Sequence, residues 1–187
     1  MNWSDGKCRC RWANPKNERY IRYHDEEWGV AVYDDAKLFE MLILEGFQAG
    51  LSWECVLNKQ PEFEVAFDGF DWDKIAQYQE KKLLELQNNP KIIRNKRKIH
   101  AAVKNAGVFR EIRKEFGSFS NYLWNWTNHQ IIYENDKTSS ELSDAISGDL
   151  KKRGMNFVGT TIIYSYLQAV EVIYSHEAGC YLEKKDS

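Results

Sequence analysis

Four residues near the two ends of the chain are of the types that bind a soft divalent metal. Cys10 and His24 lie in one N-terminal segment, and His176 and Cys180 lie near the C-terminus with the spacing H-x3-C. On a helix, that spacing puts two ligands on one face, one turn apart. Two thiolates and two imidazoles make a closed tetrahedral set for one structural zinc ion. A zinc finger gathers its ligands within a short stretch. Here the metal would clip the two chain ends together, and closing so long a loop restricts the unfolded chain. Cys8 competes with Cys10 as the ligand, and cysteines also serve as small apolar side chains.

The terminal His176-Glu177-Ala178-Gly179-Cys180 also has the outline of a zinc-hydrolase helix, HExxH, with Cys in place of the last His. In that reading Glu177 is a general base. Four available ligands leave no open position for water, which favours the structural reading.

A second constellation pairs one carboxylate with many rings. Glu45 sits in the apolar stretch MLILEGFQAGL, where an unpaired buried charge is costly and needs a partner or a function. Tyr20, Tyr23 and Trp28 cluster in YIRYHDEEWG; Trp12 lies close to Cys10, and Trp53 follows the segment carrying Glu45. A flat cation between aromatic faces gains roughly 0.5–2 kcal/mol per ring, and one buried carboxylate supplies the counter-charge and a hydrogen-bond acceptor. The competing use of these rings is core filling. Third, residues 91–98 read KIIRNKRK, with Arg94, Lys96, Arg97 and Lys98 just after the turn signal Asn88-Asn89-Pro90. Helix, tight turn and basic second helix is how a helix-hairpin-helix holds a phosphate backbone. A solvated helix face is the plainer use of such a charge run.

Helices must position these groups. Three Pro in 187 residues leave few breakers, and strict period-2 alternation is not seen. A short helix is expected over Glu18 to Glu27. Asp34 or Asp35 caps a central helix through KLFEMLILEGFQAG, apolar on nearly all sides. Pro61 starts or stops a segment, Asp71 caps a helix from Trp72 to Tyr78, and Glu80 to Gln87 forms another. A helix from about Asn95 to Asn105 is expected to end at Gly107. Ser118 caps FSNYLWNW, and Ser139 or Ser140 caps a helix with Leu142, Ile146 and Leu150 on one stripe and Gly154 beyond its end. The last helix is expected from Thr160 to Tyr174. The fold class is all-α: a compact helical bundle of eight to ten helices, one domain over 1–187 or two lobes sharing a core with both termini in one lobe.

The net charge of −2 gives no global sign of a nucleic-acid binder, so such binding must use a local patch. No secretory signal is visible in MNWSDGKCRCRW, and Gln168 and Glu171 interrupt the most apolar stretch, so no membrane segment is expected. The reading is cytoplasmic, where four Cys favour metal over disulfides, and the chain's size suggests a monomer.

The strings CRW, YIRYHDEEWG, LFEMLILEGFQAGLSW, IIRNKRKI and KKRGMNFVGTTIIYSYLQA, with HEAGC, resemble type I 3-methyladenine DNA glycosylases of the helix-hairpin-helix superfamily. The resemblance runs from about Cys10 to Cys180. It implies a DNA repair enzyme that flips out 3-methyladenine in alkylated double-stranded DNA and excises it by hydrolysis, leaving an abasic site and the free base. The other reading is a zinc-stabilised nucleic-acid-binding module without catalysis. The resemblance maps a structural zinc onto Cys10, His24, His176 and Cys180, and base recognition with catalysis onto Glu45. The pocket rings map onto Tyr20, Tyr23, Trp28 and Trp53. The segment entering the DNA stack maps onto Gly50 and Leu51, and the hairpin onto about Leu86 to Lys98. Phe47 stands where a polar residue is common, so an altered pocket shape is expected. The hairpin carries Pro90 and no glycine, and the catalytic aspartate usual downstream in the wider superfamily has no counterpart at the expected spacing.

Overall fold

The computed structural model describes residue 3 and residues 5–184. Asn17 accepts a hydrogen bond from the Tyr20 amide and starts α1 (Glu18–Arg22). The chain then runs without a break into a π turn over Tyr23–Glu27. The expected single helix is thus two pieces. The wider turn lets the adjacent residues Tyr23 and His24 serve different sites, a use π turns have at functional positions.

Asp34 caps α2 (Asp35–Gln48), accepting from the amides of Ala36 and Lys37. Its residues are buried almost continuously from Leu38 to Phe47, as the apolar sequence requires. Short helices follow: α3 (Trp53–Leu57), α4 (Gln60–Ala66) with Pro61 in its first turn, α5 (Trp72–Ile75) capped by Asp71, and α6 (Glu80–Asn88).

Next comes α7 (Lys96–Phe116), capped by Asn95. It does not stop at Gly107, because Phe109 and Ile112 carry the buried stripe onward. One mid-helix glycine costs only about 1 kcal/mol, less than burying such side chains gains. The stop is Gly117, at φ +81. Ser118 caps α8 (Phe119–Asn125), and Ser140 caps α9 (Glu141–Lys152).

The last helix, α10 (Thr160–Ala169), ends five residues short of Tyr174. Glu171 turns the chain at φ +60, and two-residue strands β1 (Ile132–Tyr133) and β2 (Ile173–Tyr174) pair in parallel. The β-branched pair Val172 and Ile173 suits an extended backbone better than a helix. The fold is all-α apart from that pairing: α2 lies at the centre, packed against α7, α8 and α10. No described helix is long and apolar enough to cross a membrane.

Candidate active site and metal centre

The metal centre forms where the π turn meets the C-terminal segment. The four candidate ligand atoms of Cys10, His24, His176 and Cys180 lie within 4.8 Å of one another, all on buried residues. The sulfur–nitrogen separations are 3.5 Å for Cys10 Sγ to His176 Nδ1, 3.5 Å for Cys180 Sγ to His176 Nδ1 and 3.6 Å for Cys180 Sγ to His24 Nε2. A tetrahedron with zinc–sulfur bonds near 2.3 Å and zinc–nitrogen bonds near 2.0–2.1 Å has sulfur–nitrogen edges of about 3.5 Å. The residues therefore fit a structural zinc ion, held by this chain alone.

Without a metal, burial foremost, with the neighbouring Cys180, pushes the Cys10 thiol up to about 12, and burial with the charge of His24 pushes His176 down to about 4. A bound dication reverses the first tendency and uses the neutral lone pair that the second leaves free. The outer contacts are of the kind that orient zinc ligands. His24 Nδ1 meets Asp25 Oδ1 at 2.8 Å, and Arg9 clamps the same carboxylate at 2.7 and 2.6 Å. Burial would raise Asp25, but Arg9 and His24 outweigh it and hold the carboxyl below the usual range. Gly29, at φ +70, passes so close to His176 that a Cβ there would lie 2.9 Å from Nε2. Any larger residue would move a ligand.

Cys8 is exposed and outside the cluster, which decides for Cys10. Glu177 is no metal base. Its carboxylate accepts from the Arg11 amide at 2.6 Å and lies 3.3 Å from Arg11 Nε, while four protein ligands close the coordination.

A cavity of about 270 Å³ opens beside this centre, large enough for a purine. Trp12, Tyr20, Tyr23, Trp28 and Trp53 form its aromatic walls. Trp12 and Trp28 meet edge-on at 4.9 Å between ring centres, and Tyr23 and Trp53 lie at 5.3 Å. The same rings rest on the metal ligands, Trp12 at 5.1 Å from His24 and Trp28 at 4.7 Å from His176. Metal and pocket therefore share one aromatic layer.

Glu45 closes the floor. It is 3 % exposed, and its carboxylate makes no side-chain hydrogen bond or ion pair with the described residues. Burial pushes it up to about 8, a shift that favours the neutral acid. A cationic ligand would draw the proton off and gain a full counter-charge. Gln48, Ser165 and Gln168 add polar groups to the wall, and Asp136, Lys137 and Glu177 form part of the lining. Sequence reasoning placed none of these in the pocket. Ser165 and Gln168 are polar interruptions in an otherwise apolar α10, the same signal that singled out Glu45 in α2.

Other site residues fall elsewhere. Leu51 is 40 % exposed, and Gly50, at φ +77, has no heavy atom within 4 Å of where a Cβ would stand. The two form an open turn after α2. The hairpin pairs α6 with α7, with Arg94, Lys96 and Arg97 exposed. Lys98 corrects the sequence expectation: it is 6 % exposed, and its Nζ donates to the carbonyls of Phe47 and Ala49, both at 2.7 Å. Its ammonium is thus turned inward to these two carbonyls, away from the exposed side of the hairpin. Phe47 is also corrected, since it packs in the core against Phe63 and Phe67 and does not line the cavity.

The methyladenine glycosylase model matches residues 12–183. The chain belongs to the methyladenine glycosylase family. DNA-3-methyladenine glycosylase 1 of Escherichia coli (strain K12) is 43 % identical, over 92 % of this chain and 95 % of its own. DNA-3-methyladenine glycosylase of Haemophilus influenzae is 39 % identical, over 92 % of this chain and 96 % of its own. A 3-methyladenine DNA glycosylase I from Staphylococcus aureus, solved for the structural basis of 3-methyladenine recognition, superposes with a TM-score of 0.90 at 31 % identity, covering 96 % of this chain and 98 % of that one. In this methyladenine glycosylase the shared fold puts an aromatic cavity, a lone buried carboxylate and a metal centre side by side.

Proposed function

We infer that this chain is a DNA repair enzyme that flips 3-methyladenine out of alkylated double-stranded DNA and hydrolyses its glycosidic bond. One observation carries the reading: a purine-sized aromatic cavity whose buried carboxylate, Glu45, has no side-chain partner among the described residues. N3-alkylated adenine is a cation with a weakened glycosidic bond. Stacked against the aromatic wall that Tyr23 and Trp53 form together, it would donate its exocyclic amine to Glu45 and pair its charge there. The bond from C1′ to the base breaks with its electrons going to the base, which leaves neutral and needs no strong acid. Water then bonds to C1′, gives up a proton, and an abasic site remains. Neutral adenine gains neither the charge pairing nor the full ring attraction, and its bond is stronger.

Extrusion costs a few kcal/mol of stacking and pairing. Gly50 and Leu51 would fill the gap, because an exposed apolar side chain on an open turn can enter the stack. Arg94, Lys96 and Arg97 would hold the backbone, with Lys96 and Arg97 in the first turn of α7. Zinc holds the segments of Cys10 and His24, and so braces Trp12 and Tyr23 on the pocket wall. All these groups come from one chain, so a monomer suffices. The two thiolates favour a reducing compartment such as the cytoplasm.

The test is to incubate dimethyl-sulfate-treated duplex with the protein and chromatograph the released bases. Free 3-methyladenine is expected, with adenine left in the duplex. Tight binding without release would instead support a non-catalytic module.

A further inference from the structure

The geometry points to Lys98 as a positioning residue that couples the basic hairpin to the Ala49–Leu51 turn and sets that turn for entry into the duplex. The inference rests on the reading of Gly50 and Leu51 as the entering segment. The last carbonyls of any α-helix lack intrahelical partners. In α2 the last turn has no basic residue. Lys98 reaches across from the first turn of α7 and satisfies the carbonyls of Phe47 and Ala49 at once. Gln48 ties the far side of the turn, its Nε2 donating to the Leu51 carbonyl at 2.9 Å. Within the turn the Leu51 amide donates to the Gln48 carbonyl at 2.7 Å, and a Cβ at Gly50 would meet no atom of another described residue within 4 Å beyond its chain neighbours.

Lys98 thus joins two elements with different tasks. Its neighbours Lys96 and Arg97 are exposed on the hairpin side, while its own ammonium is buried under the turn. The Phe47 carbonyl that it binds lies two residues from Glu45. Seating the hairpin on the backbone therefore fixes where Leu51 stands relative to the stack. A misplacement of about 1 Å at such a point can cost on the order of 100-fold in rate.

The test compares wild type, Lys98→Met, Lys98→Arg and Leu51→Ala, each checked by thermal melting. Four quantities are read: affinity for free 3-methyladenine by tryptophan quenching, single-turnover excision from duplex, the salt dependence of duplex binding, and fluorescence of a 2-aminopurine beside the lesion. Lys98→Met should bind the free base within about 3-fold of wild type yet excise about 30-fold or more slowly, with the 2-aminopurine signal reduced. Its salt slope should stay unchanged, because no phosphate contact is lost, whereas losing one would flatten the slope by about 1. Lys98→Arg should recover much of the rate. Equal losses in free-base binding and excision, a flattened salt slope, or failure of both Lys98 variants to fold would overturn the proposal. So would a slow Lys98→Met beside a Leu51→Ala that excises like wild type. A wild type that releases no base would fail the excision reading itself, before any variant is compared.

Discussion

Glu45→Gln is expected to excise 3-methyladenine from duplex about 30- to 150-fold more slowly than wild type under subsaturating single-turnover conditions. The figure follows from losing one charge-assisted hydrogen bond in a buried site, about 2–3 kcal/mol. Gln keeps the shape and one acceptor oxygen but cannot become an anion. The positive charge of the base would then meet only rings. Part of the loss falls on the extrusion equilibrium, because the cation exists before the bond breaks. Saturating protein should therefore recover some of the rate.

The variant should fold as wild type does, and a melting series checks this. The wild-type carboxyl is raised by burial from an ordinary 4.5 to about 8. Below pH 4.5 it is neutral in folded and unfolded chains alike, and no ionisation cost arises. As pH rises from 4.5 to 8 the unfolded chain ionises more readily, so the wild-type fold loses stability across that window. Glu45→Gln should melt above wild type at pH 7.5, with the gap closing toward pH 4.5.

Removing the metal has the second large effect. Chelation with pyridine-2,6-dicarboxylate should extract one zinc per chain and lower the melting temperature by about 10 °C or more, because a site contributing several kcal/mol shifts a chain of this length by roughly 2–4 °C per kcal/mol. Base binding should go with it, since Trp12 rests on His24 and Trp28 on His176. Re-added zinc should restore both. Cys180→Ser should copurify with much less zinc, whereas Cys8→Ser should keep its metal, because Cys8 is exposed and outside the cluster. Unchanged melting after complete zinc removal would contradict the bracing role.

What could be read from residues alone divides along physical lines. Caps were legible: Asp34, Asp71, Ser118 and Ser140 each accept from the first turn of the helix they begin. The metal set was legible from residue types and the H-x3-C spacing, although types alone left Cys8 competing with Cys10 until exposure decided between them. Helix ends were less so. Gly107 looks like a stop but lies where the buried stripe continues, and only tertiary burial decides between them. The π turn at Tyr23 was illegible, since YIRYHDEEW fits a regular helix, and one extra residue per turn leaves no mark in composition.

Charge runs proved the hardest to read. Lys98 stands between Arg97 and Ile99, in a stretch whose other lysines and arginines face water, and no periodicity tells which of them turns inward. Its partner carbonyls, those of Phe47 and Ala49, are 51 and 49 residues away. Long-range backbone acceptors carry no side-chain signature. Phe47 misled for the opposite reason: it lies two residues after Glu45, which on a helix is the far face, so it belongs to the core and not to the cavity.

The central claim is that Glu45 is the counter-charge for a cationic base, neutral while the pocket is empty and ionised once it is filled. Carbon-13 NMR of the side-chain carboxyl in glutamate-labelled protein, with Glu45→Gln to assign the signal, measures this directly. In the free protein the Glu45 signal should titrate near 8. With a permanently cationic N-alkylated adenine bound, it should stay ionised down to at least about 2 pH units lower. A carboxyl that titrates near 4.5 in the free protein, or whose titration the cation leaves unmoved, would contradict the account.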